Sequence, residues 1–195
     1  SPPVDINISE IIGILSDNLR VNGKKIGIAL RTVSDLDNKN VIDAICNHKP
    51  DIISLNFSLM DQRLNFLKNL NIIKRNVVEI WARTVFNFGF LVNPNLKINP
   101  EFDHRNTWSS QQIEKWRAGG VLYNNLAKQY GFSPTEFAIG FCLNNKYIDR
   151  VCLGMINKDE VELNMTCEGV KIPEKLIQAA RKLYNSNAFF LKPRN

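Results

Sequence analysis

No apolar run in the 195 residues approaches the roughly 18 that a membrane-crossing helix needs, so no membrane span is expected. The opening "SPPVDIN" lacks the basic, apolar and small-residue order of a secretory signal, and a cytoplasmic location is the expectation. An initiator Met is missing too, so Ser1 need not be the native start. Cysteine is sparse: Cys46, Cys142, Cys152 and Cys167 form no CxxC pair, and Cys142 and Cys152 sit in apolar runs. Core thiols are expected there rather than a metal or redox site. His48 and His104 have no ligand spacing, which argues against zinc. Long runs of one charge are also absent. The net charge is +6, yet most of the basic residues stand singly or in pairs, as in "LRVNGKK". Such spacing reads as a solvated surface, not a nucleic-acid footprint. No self-similarity recurs at 20 to 50 residues, so a solenoid is not expected.

What is present is ordinary for one soluble domain: 44% hydrophobic and 23% charged residues. Helical period runs through 8–21, where Gly23 stops it, and returns at 35–48 with Asp and Asn as cap candidates. It recurs at 61–76, at 109–131 (one helix or two, weakened at Gly119–Gly120), at 133–145 behind a Ser-Pro opening, from 158, and at 173–185. Short apolar runs at 24–30, 51–57, 77–86 and 147–153 read as strands, apolar on both faces. The stretch from 91 to 108 has no clear period. Four strand-helix alternations imply a parallel sheet with helical crossovers. A closed (β/α)8 barrel takes about 250 residues. Four units therefore make either a small open α/β sheet or half of a TIM-type barrel.

Five stretches, in order, resemble the aldo/keto reductase family. "NGKKIGIA" (22–29) resembles the segment entering that family's fifth strand, and "HKPDIISLNFSLMDQR" (48–63) its sixth strand and turn. "VEIWARTVFNFGFL" (78–91) is similar to the seventh strand of a subgroup, and "FDHRNTW" (102–108) to an Asp-His-Arg loop segment. "SPTEFAIGFCLNNKYIDRVCLGMINKDEVELN" (133–164) is similar to the last barrel helix, the eighth strand and the cofactor turn. The resemblance implies a single domain, residues 1–195, forming the C-terminal half of a (β/α)8 barrel. The opening residues resemble the segment just after the family's catalytic His. The catalytic Asp, Tyr, Lys and His are then expected upstream of Ser1, and no catalytic residue is expected within the chain. The implied parent activity is NAD(P)-dependent reduction of a small carbonyl substrate. A non-catalytic relative serving as a structural or binding subunit is the alternative.

The resemblance also implies cofactor-binding positions. Gly154, Met155, Ile156 and Asn157 occupy the turn that meets the adenosine end, at a helix N-terminus whose N–H groups and dipole attract an anion. A plain helix cap is the competing reading of that turn. Asn164 matches an adenine-contacting Asn. Ile156 and Glu160 stand where Arg or Gln usually reads a 2′-phosphate, and no nearby cation is expected, so NAD is favoured over NADP. Ala29 replaces a Ser and Ser54 a Gln that orient the nicotinamide, which leaves open that no cofactor binds. Arg83 and Thr84 match an Arg-Ser pair; Arg83 would stack on the ring or meet a phosphate, or is an ordinary surface residue. Phe86 and Phe88 either wall a pocket or belong to the core. Asp103 and His104 are expected to pin a loop rather than act as an acid–base dyad, with Trp108 and Trp116 beneath it. Two unpaired sheet edges invite a complement, an N-terminal half-barrel or a second copy.

Overall fold

Apolar runs and helical segments alternate into four parallel strands with helices between them. The computed structural model describes residues 8–20, 23–30, 32–77 and 79–191; residues 1–7, Asn22 and Val78, on which the family resemblance partly draws, lie outside them. The elements are α1 (Ile8–Arg20), β1 (Gly27–Ala29), α2 (Lys39–His48), β2 (Ile52–Asn56), α3 (Leu70–Asn76) and β3 (Glu79–Arg83). They continue with α4 (Ser110–Gln129), α5 (Pro134–Leu143), β4 (Arg150–Val151), α6 (Lys158–Thr166) and α7 (Glu174–Asn185). Spatial strand order is β1-β2-β3-β4, every pairing parallel, so β1 and β4 are the edges. Among the described residues no helix is long and apolar enough to cross a membrane.

Local chemistry sets the boundaries. Ser133 and Glu136 close a capping box at α5, with Pro134 at its first turn, as the Ser-Pro opening predicts. The segment 35–48 divides: a 3-10 turn (Val33–Asp37) precedes α2, because Asn38 leaves the helical region and caps Asn40 N. The helix expected over 61–76 also shortens, to a 3-10 turn (Arg63–Phe66) and α3. Asp61 and Gln62 are buried and their polar atoms are engaged elsewhere. Asp61 N donates to Ser58 Oγ, the Asp61 carboxylate holds Arg63, and Gln62 Nε2 donates to Leu59 O. Such local side-chain bonds hold a turn against the helix.

The strands are not apolar on both faces, which corrects the sequence expectation. Ile53, Leu55, Ile80 and Ala82 are buried beneath the helices, in one core with Phe57, Phe137 and Phe141. The alternate residues stand half-exposed on the other face: Ser54 and Asn56 on β2, Glu79, Trp81 and Arg83 on β3. Register aligns Ala29 with Ser54, Ser54 with Trp81, and Asn56 with Arg83 on that open face. Period-two alternation with one covered face is the physics of a half-solvated sheet.

The glycine pair in α4 does not break it. The helix runs its 20 residues unbroken, and the glycines are packing devices. A Cβ on Gly120 would stand 2.1 Å from the Phe90 carbonyl oxygen, and one on Gly119 2.8 Å from the Phe189 ring. The Phe189 segment is itself tied to α4 by Gln112, whose amide donates to Phe189 O (2.7 Å) and accepts from Leu191 N (2.8 Å). Gly120→Ala should therefore destabilise the fold by about 3 kcal/mol through backbone overlap. Gly154→Ala, whose Cβ meets nothing within 4 Å, should change stability by less than about 0.5 kcal/mol. Urea unfolding of the two variants checks the contrast.

Candidate functional site

The C-terminal ends of β3 and β4 carry two turns that face each other across a cleft of about 620 Å3. The first turn follows β3. Thr84, Asn87 and Phe88 all take positive φ (60°, 46° and 59°), and Gly89 follows at 92°. A β-branched Thr in this region costs roughly 1–2 kcal/mol and persists only where neighbours enforce it. Here Thr84 Oγ1 donates to Asn56 Oδ1 at 2.7 Å, and Asn87 N closes onto Thr84 O at 2.8 Å. Arg105 pins the turn from outside: its guanidinium donates to Phe88 O (3.0 Å) and to Asp103 (2.8 Å). Asp103 in turn accepts from Arg105 N, which holds its carboxyl below the usual range. The Asp103–His104 separation of 3.7 Å is too long for an acid–base dyad, so the segment pins a loop, as expected. Trp116 is fully buried and Trp108 partly exposed, both against the Phe88 ring.

The second turn joins β4 to α6. Asn157 caps the helix, its Oδ1 accepting from Glu160 N at 2.8 Å. Glu160 reaches back and its Oε2 accepts from Ile156 N at 2.9 Å. The amides of Ile156 and Glu160, expected to be open to an anion, are thus satisfied by the chain's own side chains. Met155 and Ile156 stay exposed, Ile156 to 90%, and form an apolar lip.

Of the nine positions singled out in the sequence, Thr84, Phe86 and Gly154 line this cleft together, as do Met155, Ile156, Glu160 and Asn164. Asn157 lies behind the wall as the cap. Arg83 lies beside it on the open face, its Nη2 donating to Leu30 O across β2. Phe86 and Phe88 are both half-buried at the wall. Lys97 and Arg105 also line the cleft, Arg105 held by Asp103. Lys97 comes from the aperiodic stretch and gave no sequence signal; Cys152 and Leu163 join the wall only because β4 and α6 bring them there. Among the described residues no three His, Cys, Asp or Glu side chains converge to hold a metal.

The cleft fits part of a dinucleotide. Its size is that of a small-ligand site, and Phe86, Met155, Ile156 and Leu163 give it apolar walls of the kind a flat ring needs. The Glu160 carboxylate also lines the cleft, while accepting from Ile156 N.

At the opposite, N-terminal end of the open face, Arg150 donates two bonds to Glu79, and Trp81 Nε1 donates a third at 2.6 Å. Arg150 first, then Trp81, hold the Glu79 carboxyl down at about 2.

No protein-family profile matches the sequence, and no curated protein matches it. Solved structures do. A glycerol dehydrogenase from Gluconobacter oxydans superposes with a TM-score of 0.71 at 17% identity, over 100% of this chain and 59% of that one. An aldo-keto reductase from Bacillus halodurans gives 0.64 in its apo form, at 18% identity, over 92% of this chain and 58% of that one. Its holo form gives 0.59 at 18% identity, over 93% and 56% of the two chains. At such identities the likeness is one of fold: four parallel (β/α) units of the barrel type that aldo-keto reductases have. The chain spans about three fifths of the length of these structures.

The Glu79 pairing sets a pH dependence. A carboxyl whose folded pKa is lowered adds stability above its unfolded pKa and loses it as pH falls through the folded value. The Glu79 contribution should be complete at neutral pH, decline below about pH 4.5 and vanish near pH 2. Glu79→Gln should be less stable than wild type at pH 7 and converge with it at the acid end. Melting curves of both proteins across that range provide the check.

Proposed function

We propose that this chain is the C-terminal, cofactor-turn half of an aldo/keto reductase-type oxidoreductase, with NAD as the dinucleotide. The observation that carries the reading is the cleft. Two segments some 70 residues apart, singled out by resemblance, meet in one ligand-sized cavity at the strand ends where barrel enzymes bind. In this reading Phe86, Met155 and Leu163 would line the adenine site, Asn164 would contact the base, and Glu160 would accept from a free ribose 2′-hydroxyl. The dinucleotide supplies the hydride when bound. The chain's own residues bind and orient it.

The described strand ends carry Ala29, Asn56, Arg83 and Val151, none of which donates a proton to a carbonyl oxygen at neutral pH. The Tyr, with its Asp, Lys and His, would come from the complementing half, on the same gene product or a separate chain. The polar open face and the two bare edges favour that complement over a self-dimer. The carbonyl substrate is small, and the completed protein works in the cytoplasm.

One observation favours the second reading, a non-catalytic relative that serves as a binding or structural subunit. Ala29 and Ser54 stand side by side on the open face where larger polar groups would orient a nicotinamide, and Glu160 already caps the turn.

Two outcomes are expected. The purified 195-residue chain should leave NADH and NADPH absorbance unchanged with a panel of aldehydes and sugars. A steady decline in either would overturn the placement of the proton donor in the other half. Calorimetric titration should give NAD at least as tight as NADP, by up to about tenfold, and Glu160→Gln should narrow the gap. Clearly tighter NADP in the wild type would count against the assignment of Glu160.

A further inference from the structure

Arg83 differs in its partners from four other arginines of the chain. Arg63, Arg105, Arg117 and Arg150 each meet a carboxylate. Arg83 meets none among the described residues. Its guanidinium stands half-buried on the open face at the C-terminal end of β3, donates from Nη2 to the Leu30 carbonyl, and leaves Nε buried without a partner. Its charge is felt just after β4 as well: burial raises the Cys152 thiol, and the Arg83 charge pulls it the other way. A half-buried guanidinium with a buried, unpartnered Nε and no counter-charge is a site that an anion can complete.

The two ends of the open face differ in kind. At the N-terminal end the charges are self-contained, Glu79 with Arg150. At the C-terminal end, where (β/α) enzymes bind ligands, Arg83 stands uncompensated. Beside it Asn56 is in register with Arg83, and its Oδ1 is taken by Thr84 Oγ1. Nη2 keeps a second N–H and Nη1 makes no hydrogen bond among the described residues, so the end of the planar fork is the edge that can receive an oxyanion with two parallel bonds, with the buried Nε behind it.

We propose that Arg83 is a specificity-determining residue that anchors an oxyanion on the substrate, a carboxylate or a phosphate, at the mouth of the strands. The substrate class is then an anionic carbonyl compound rather than a neutral one. This rests on the reading that substrate lies at the C-terminal strand ends, next to the cofactor cleft. It does not need the dinucleotide to bind.

The test is NMR of the 15N-labelled 195-residue chain, following the Arg83 Nε–H signal, identified by its loss in Arg83→Gln. Inorganic phosphate and sodium acetate are added in separate arms, with sodium chloride as the ionic-strength control. At least one oxyanion should shift the signal saturably, and the arm that binds more tightly names the anion. Affinity should fall several-fold in Arg83→Lys, read on neighbouring backbone signals, because the charge remains and the fork is lost. Should Arg83→Gln fail to fold, the signal is assigned from the wild type and Arg83→Lys. A signal that responds to chloride as it does to the oxyanions overturns the proposal, as does unchanged affinity in Arg83→Lys. Loss of oxyanion binding once the barrel is completed by its N-terminal half also overturns it, because a protein carboxylate would then hold the guanidinium. A parallel NADH titration separates the two ideas: oxyanion binding without NADH binding removes the dinucleotide reading and leaves this one standing.

Discussion

The contact between Gly120 and the Phe90 carbonyl fixes where the upper part of this molecule lies. Backbone meets backbone there, with no side chain between. This lets α4 pass close under the turn that follows β3. That turn is the left-handed run from Thr84 to Gly89, and it holds Phe88 where Trp108, Trp116 and His104 meet its ring. Arg105 then ties the aperiodic loop back to the same turn through Phe88 O. One wall of the cleft is thus a chain of dependencies that starts from a glycine inside a helix. Close packing of this kind leaves little freedom to relax.

The other wall is built by a different economy. Asn157 and Glu160 satisfy the amides at the start of α6 with side chains three residues apart. Two of the amides at this turn, those of Ile156 and Glu160, are taken before any ligand arrives. A ligand here gains contact with the apolar lip and with Asn164, and it competes with Glu160 for any amide it wants.

The fold was readable because its signals were local and repeated. Ser-Pro before 133–145, the Asn ahead of α2 and the apolar runs at four strands each act within a few residues. Ser133 with Glu136 and Asn38 with Asn40 bear this out in the structure. What could not be read depends on partners distant in sequence. Asp61 and Gln62 sit in a stretch of helical period, yet burial under α7, where Gln62 reaches Ala180 O, holds them in a turn. Gly119 and Gly120 look like helix breakers until Phe189 and Phe90 lie against them. The polar open face hid behind apolar-looking runs because Ser54, Glu79 and Arg83 are diluted by the Ile and Leu between them. Lys97 reached the cleft from a segment with no period at all.

Trp81 sits on that open face with its indole N–H bonded to Glu79, whereas Trp116 is sealed in the core and Trp108 lies at the loop surface. The three indoles therefore occupy three different surroundings. Covering the face with further strands would dry the ring of Trp81 and leave Trp116 as it is. If further strands complete the barrel as proposed, Trp81 serves as an optical reporter: its emission should move to shorter wavelength, with the buried indole as the internal standard.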